Sequence, residues 1–127
     1  VEKLGYAIAN WNRGQAQTKM ASMLAQYAGK MELILANNDD MALGAIDAID
    51  RAGVYGITVV GIDATTAGLD AVHAGKILGT VSSDKKEYAG AIMKIATAKA
   101  LGEEIPENME LENGKYYWSK QRIFTEK

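Results

Sequence analysis

Apolar residues recur at helical spacing along most of the chain, in stretches that each run up to a glycine. Four such stretches end at Gly29, Gly53, Gly75 and Gly102. Glycine lacks a Cβ and easily adopts the left-handed conformation that commonly ends a helix. The pattern therefore predicts four amphipathic helices joined by short connections.

Short apolar runs precede these predicted helices and lack the strict alternation of a half-exposed strand. They are rich in Ile, Leu and Val, which is typical of strands buried on both faces of a parallel sheet. The predicted strands are Leu4–Ala9, Met31–Ala36, Ile57–Ile62, Lys76–Val81 and an aromatic-rich final strand at Tyr116–Phe124. Strands and helices alternate, so right-handed crossovers predict an α/β fold with a parallel sheet of βα units.

Polar residues with short side chains follow the predicted strands, where open α/β sheets bind ligands. Asn38 and Asp63 offer amide and carboxylate groups that hydrogen-bond to sugar hydroxyls, and Trp11 offers a flat apolar face to a sugar ring. These residues predict a site for a neutral polyhydroxylated ligand. On local pattern alone, Asn38 and Asp63 are equally well explained as helix caps, and Trp11 as a packing residue.

Other polar residues at the same strand ends are better explained by the helices that follow them. Asp84 with Glu87 three residues later has the spacing of a capping box. For Asp39 and Asp40 the favoured interpretation is capping, or compensation of the helix dipole.

Composition excludes several classes of function. The net charge of −2 includes no block of basic residues, so nucleic acid is not expected as a partner. The absence of cysteine removes disulfides, thiolate nucleophiles and Cys-ligated zinc. The single histidine, His73, lies beside a predicted helix end, so no nucleophile at a strand end has a base to activate it. We therefore expect one globular domain that is not an enzyme.

Four segments resemble the galactose/glucose-binding proteins of ABC transport and chemotaxis, in the same order and at nearly the same spacing. They are Ile34–Ala45 with its Asn-Asn-Asp-Asp block, Val59–Ala64 with Gly-Ile-Asp-Ala, Gly75–Val81, and Trp11 with Gln15-Ala16. The first block is shared with ribose-type binding proteins and with the effector domains of lactose-repressor-type regulators. Gly-Ile-Asp-Ala together with Trp11 points to the galactose/glucose branch.

The resemblance implies a partial C-terminal lobe of a type I periplasmic binding protein. Residues 1–85 would form this partial sugar-binding lobe, residues 86–112 a helix that crosses to the other lobe, and residues 113–127 the returning strand and tail. Because family members have a further βα unit and a whole first lobe before this region, we expect a fragment that binds a hexose weakly and without catalysis. The helix at 86–101 would lack its natural partner, which predicts that it folds back onto its own sheet or pairs two chains.

The resemblance also implies roles for individual residues. Trp11 would stack on the hexose, Asn38 would bond ring hydroxyls and Asp63 would accept from a neighbouring pair. Ser83 stands where family members usually have a sugar-binding Asn, a departure that affects affinity or the preferred sugar. Glu32 falls where calcium-binding members supply a carboxylate, but the accompanying calcium loop is missing. No cofactor is therefore expected, and Glu32 is expected to be a solvated residue.

For the full-length form, the resemblance implies a membrane permease of an ABC transporter as partner. It also implies a periplasmic or other extracytoplasmic location, with a lipid anchor as an option. Two alternatives stay open at this point. One is the effector domain of a lactose-repressor-type regulator, which requires a DNA-binding headpiece, and the other is an enzyme of the doubly wound class.

Overall fold

The computed structural model describes residues 1–106 and 108–126, which form four α-helices and four strands. The helices are α1 (Arg13–Tyr27), α2 (Asp39–Ala52), α3 (Thr66–His73) and α4 (Lys85–Leu101). The strands are β1 (Leu33–Leu35), β2 (Thr58–Ile62), β3 (Gly79–Ser83) and β4 (Gln121–Thr125), and a 3₁₀ turn (Ala28–Lys30) follows α1. In this part of the chain, no helix has both the length and the apolarity needed to cross a membrane.

The four strands form one sheet in the order β1-β2-β3-β4. β1 runs parallel to β2 with Leu33 opposite Thr58, and β2 runs parallel to β3 with Val60 opposite Gly79. The predicted α/β class and the parallel arrangement of βα units are confirmed.

The chain divides into two compact units. Unit 1 contains residues 1–81 and 123–127, and unit 2 contains residues 82–122. The lobe boundaries that the resemblance implies, after residues 85 and 112, stay predictions.

The core of unit 1 is built from its three helices and one face of the sheet. α1 and α2 approach closely at Gly44, where an added Cβ would lie 2.2 Å from the carbonyl oxygen of Arg13. The Arg13 guanidinium also donates two hydrogen bonds to Asp47 of α2, at 2.7 and 2.9 Å. The buried apolar cluster comprises Met20, Leu24, Met31, Ala42, Leu43, Ala45, Ile46, Ala48, Ile49, Val59, Ala71, Val72 and Ile77.

The other face of the sheet in unit 1 is bare. Leu33 and Leu35 of β1 and Ile62 of β2 are exposed on it, with 72 % of Leu35 accessible. Val59 points to the opposite face, into the core formed with the helices. The prediction that the strands are buried on both faces is therefore wrong, because the helices described in unit 1 contribute to the core on one side only.

The predicted strand at Leu4–Ala9 is also wrong. Residues 1–9 form no ladder with any of the four described strands, and most of them are exposed. Leu4 packs against the core and Ala9 is buried, so the segment is anchored at two apolar positions. An apolar run becomes a strand only when a neighbour takes up its backbone N–H and C=O groups, and β1 pairs with β2 alone.

Three of the four predicted glycine stops adopt the left-handed conformation. Gly53, Gly75 and Gly102 have φ of 61°, 67° and 70°. α1 instead ends at Tyr27, and Gly29 lies in the 3₁₀ turn that follows. Local chemistry therefore set the ends of α2, α3 and α4 as predicted.

Unit 2 begins with a capped helix. Asp84 accepts hydrogen bonds from the backbone N–H groups of Lys86 and Glu87, both at 3.1 Å, so its predicted capping role is confirmed. These bonds, and chiefly the one from Glu87, lower the pKa of Asp84. The Glu87 carboxylate accepts from the Tyr117 hydroxyl at 2.8 Å, which raises the pKa of Tyr117, while the backbone N–H of Asp84 donates to Lys120. In a capping box the Glu87 carboxylate would accept from the backbone N–H of Asp84. Here Glu87 accepts from Tyr117 instead, and that N–H donates to the backbone oxygen of Lys120.

Candidate functional site

Trp11 lies at the tip of a turn before α1. Asn10 and Trp11 both have left-handed backbones, with φ of 50° and 53°. Asn12 closes the turn, since its backbone N–H donates to Ala9 at 2.9 Å and its Oδ1 accepts from the backbone N–H of Gln15 at 2.9 Å. Trp11 is 72 % exposed, so it is not buried in the core of the described residues. The turn presents an indole to solvent.

Asn38 is buried, and the oxygen and the nitrogen of its side-chain amide have different roles. Its Oδ1 accepts from the backbone N–H of Met41 at 2.9 Å, which makes Asn38 the N-cap of α2. Within residues 1–106 and 108–126, its Nδ2 donates no hydrogen bond. Asn38 therefore caps the helix with its oxygen while its amide donors stay available.

Asp63 follows β2 and is exposed. Its backbone N–H continues the sheet by donating to Val81 at 2.8 Å, and its φ of 110° lies in a region that aspartate seldom adopts. Thr65, not Asp63, caps α3, since the Thr65 hydroxyl accepts from the backbone N–H of Gly68 at 3.0 Å. The capping interpretation of Asp63 is therefore wrong.

Asp39 joins the two strand ends that carry Asn38 and Asp63. It is fully buried, and its Oδ2 accepts from the backbone N–H of Thr65 at 2.7 Å. Asn38 and Asp63 follow neighbouring parallel strands, so both lie at the same end of the sheet. The contact between Asp39 and Thr65 shows that the start of α2 touches the loop that carries Asp63.

The N-cap role predicted for Asp39 is wrong, whereas the predicted compensation of the helix dipole stays a prediction, since Asp39 lies in the first turn of α2. Asn38 already occupies the N-cap position, and Asp39 bonds to residues outside its own helix. Asp40 stays exposed in the first turn of α2, where a carboxylate is favourable to the helix dipole. The sequence contained a signal for this: a helix needs one N-cap side chain, so three of the four consecutive capping-type residues at 37–40 were not needed for capping.

Strained backbone is concentrated at these two turns. Among the described residues, left-handed φ at non-glycine positions occurs at Asn10, Trp11, Asp63, Ala64 and Asn113. Such conformations cost of order 1–3 kcal/mol each and cluster at functional sites. Four of the five lie at the turns of Trp11 and Asp63, which is consistent with a functional role for these turns.

Ser83 belongs to unit 2. Its Oγ accepts from the Ser119 hydroxyl at 3.1 Å and from Gln121 Nε2 at 2.9 Å. A hydroxyl has two acceptor positions and one proton, so these bonds leave Ser83 its donor. Its predicted contact with a ligand stays a prediction.

Glu32 lies exposed just before β1. Within residues 1–106 and 108–126, no group of three His, Cys, Asp or Glu side chains is arranged to hold a metal ion. The calcium role of this position in related proteins therefore receives no support from neighbouring carboxylates, and its interpretation as a solvated residue stays a prediction.

Comparison with known proteins places this geometry in context. A family model described as the periplasmic binding protein domain matches residues 1–104. The xylitol-binding protein of Mycolicibacterium smegmatis is 34 % identical over 105 residues, which are 83 % of this chain and 30 % of that protein. The D-galactose/methyl-galactoside binding periplasmic protein MglB of Haemophilus influenzae is 30 % identical over 112 residues, covering 87 % of this chain and 34 % of that protein.

Solved structures show the same similarity. A solute binding protein of an ABC transporter from Bacillus halodurans, with bound myo-inositol, superposes with a TM-score of 0.79 at 30 % identity, covering 98 % of this chain and 40 % of that one. A periplasmic solute binding protein from Actinobacillus succinogenes with bound D-allose gives 0.73 at 30 % identity, covering 93 % and 38 %. The chain spans about a third of the length of the curated relatives it matches.

Proposed function

The chain belongs to the periplasmic binding protein family, and on that premise we propose that it supplies one wall of a binding site for a neutral polyhydroxylated ligand. It is a binding protein and not an enzyme, like the relatives named above. The effector domain of a transcription regulator is not favoured, because those relatives are solute-binding proteins of transport.

The observation that carries the proposal is the placement of Asp63, an exposed residue at the end of β2 with a φ of 110°, which aspartate seldom adopts. A carboxylate accepts from two adjacent hydroxyls, and such charge-assisted bonds are roughly twice as strong as neutral ones. Asn38 adds amide donors at the neighbouring strand end. The exposed indole of Trp11 adds an apolar face for the C–H side of a ring.

Within this class, a hexose of the galactose/glucose type is the finer proposal. It is supported by Trp11 together with the Gly61–Ala64 segment, the two features that resemble the galactose/glucose branch. The relatives are named for xylitol and galactose, and the solved structures hold myo-inositol and allose. These ligands share rows of adjacent hydroxyls, which is the feature that Asp63 and Asn38 are equipped to recognise.

The remaining proposals concern the full-length form. We propose that it acts outside the cytoplasmic membrane, with or without a lipid anchor, and delivers its ligand to an ABC permease. Family members enclose the ligand by closure of two lobes, a hinge motion. The chain described here offers one side of such a site and no metal is proposed for it, so we expect dissociation constants of the order of millimolar or weaker.

Ligand-observed saturation-transfer NMR tests the proposal on the 127-residue chain, because it detects millimolar binding. We expect transfer to D-galactose, D-glucose, D-ribose, xylitol and myo-inositol, and none to glycine betaine, which has no hydroxyl group. No transfer to any of the five from a folded chain would overturn the proposal. Micromolar affinity by calorimetry would contradict the expectation of an incomplete site.

Variants then assign the contacts. Asn38→Asp keeps the capping oxygen and removes the amide donors, and Asp63→Asn removes the charge at an exposed position. Trp11→Ala removes the stacking surface. We expect each to reduce saturation transfer at least fivefold while circular dichroism stays as in the wild type. Asn38→Ala is the control for capping, since it loses both functions and about 1 kcal/mol of stability. Unchanged transfer in all three variants would place the ligand elsewhere.

A further inference from the structure

A carboxylate is buried next to the loop that carries Asp63. Asp39 is 0 % exposed, and three donors surround it in the described part of the chain. Its Oδ2 accepts from the backbone N–H of Thr65 at 2.7 Å and from the Thr65 hydroxyl at 3.1 Å. Its Oδ1 accepts from the Thr80 hydroxyl at 2.7 Å. The donors come from residues 26 and 41 positions away in sequence.

Two glycines make room for this group. A Cβ added to Gly61 would lie 2.3 Å from Asp39 Oδ1, and one added to Gly68 would lie 2.1 Å from Oδ2. Both separations are far shorter than van der Waals contact. The carboxylate therefore occupies a space that the backbones of β2 and α3 leave open, and its position is closely defined.

The network continues to both residues that follow Asp63. The Thr80 hydroxyl that donates to Asp39 also accepts from the backbone N–H of Ala64 at 3.2 Å. Thr65, the next residue, donates directly to Asp39. Ala64 has a φ of 47° and Asp63 one of 110°, conformations that persist only where the surroundings hold them. Asp39 and Thr80 are the groups that hold the chain immediately after Asp63.

We infer that Asp39 is a positioning residue, which sets the direction of the Asp63 side chain without touching the ligand. The inference rests on the proposed function, because it assumes that Asp63 binds the ligand. A negative charge suits the task, since an ionised carboxylate is an acceptor only and can satisfy all three donors at once. Thr80 links Asp39 to Ala64, because its hydroxyl donates to Asp39 and accepts from the backbone N–H of Ala64.

Two variants separate positioning from general stabilisation. Asp39→Asn keeps the shape of the side chain but replaces one carboxylate oxygen by an NH₂ group. That NH₂ group would face hydrogen-bond donors and could not accept from them. Thr80→Val keeps the volume and removes the relay to Ala64, whereas Thr80→Ser keeps the hydroxyl and is the conservative control. If Asp39→Asn does not fold, the Thr80 pair still decides the question.

Amide hydrogen exchange and saturation transfer on the 127-residue chain provide the test. We expect the amides of Ala64 and Thr65 to exchange at least tenfold faster in Asp39→Asn, and that of Ala64 likewise in Thr80→Val. Amides of the α1–α2 core should keep wild-type rates, transfer to D-galactose should fall at least fivefold, and Thr80→Ser should stay within twofold of wild type in both measurements. Wild-type exchange at Ala64 and Thr65 in either destabilising variant would overturn the inference. Absence of transfer in the wild type would instead refute the proposed function, and the exchange rates would still decide whether Asp39 holds the loop.

Discussion

Substituting Gly44 by alanine tests how closely α1 and α2 approach each other. An added Cβ would lie 2.2 Å from the carbonyl oxygen of Arg13 and 2.9 Å from the Cβ of Ala16. Carbon–oxygen contacts are ordinarily about 3.3–3.6 Å, so α1 would have to move away by roughly 1 Å. Because the obstacle is a backbone atom, no side-chain rotation relieves it.

The size of the effect follows from two opposing terms. Overpacking costs about 1–3 kcal/mol, and a backbone obstacle places Gly44→Ala at the upper end. Alanine returns about 1 kcal/mol through its higher helix propensity. We therefore expect the free energy of unfolding of unit 1 to fall by about 2 kcal/mol. Urea unfolding followed by circular dichroism measures this, and Tm should fall by roughly 8–16 °C.

Gly14→Ala is the matched control in the same pair of helices. Gly14 lies in the first turn of α1, and an added Cβ would meet the Asn12 side chain at 3.4 Å, an ordinary contact. We expect this variant to gain about 0.4–1 kcal/mol, because alanine restricts the unfolded chain. If Gly44→Ala proved as stable as Gly14→Ala, the close approach of α1 and α2 would be refuted.

Two further predictions concern an ion pair and the surface of α4. The pKa of Asp47 lies below its ordinary value of 3.8, chiefly because Arg13 donates hydrogen bonds to it. The contribution of this ion pair to the free energy of unfolding is therefore present above pH 3.8 and is lost as the pH falls through the lowered pKa. Urea unfolding of wild type and Asp47→Asn should differ by about 0.5 kcal/mol at neutral pH and converge in acid, and a constant difference would contradict this. We predict that the apolar residues of α4, among them the half-exposed Ile92, either pair two chains or fold back onto the chain's own sheet. Sedimentation velocity distinguishes these outcomes, since pairing gives a dimer that Ile92→Lys abolishes and folding back gives a monomer. A monomer whose α4 amides exchange freely with solvent would contradict both.

The sequence predicted features that depend on neighbouring residues. Gly53, Gly75 and Gly102 end or follow helices as expected, and Asp84 caps α4, because both effects act within one helical turn. The strand at Leu4–Ala9 failed because pairing depends on a partner that the run itself does not encode. Burial of β1 and β2 on both faces failed for a similar reason: a run of Ile, Leu and Val is compatible with a buried or a bare face.

The site shows the same division. The residues proposed to bind the ligand, Trp11, Asn38 and Asp63, could be named from the sequence, and their binding role stays a prediction. The function of Asp39 was not predictable, because its bonds reach Thr65 and Thr80 across the fold. Its position at the start of α2 predicts an N-cap, but Asn38 already fills that role.

The bare face of the sheet also bears on how the chain can be kept in concentrated solution. Leu33 and Leu35 lie on the outermost strand, whose outer edge pairs with no other described strand. Apolar side chains and unpaired amides thus occur within the same three residues, a combination that templates strand addition between molecules. We therefore expect intermolecular β-pairing in concentrated solution, and we expect Leu35→Lys, which would place a charge on this edge strand, to reduce it.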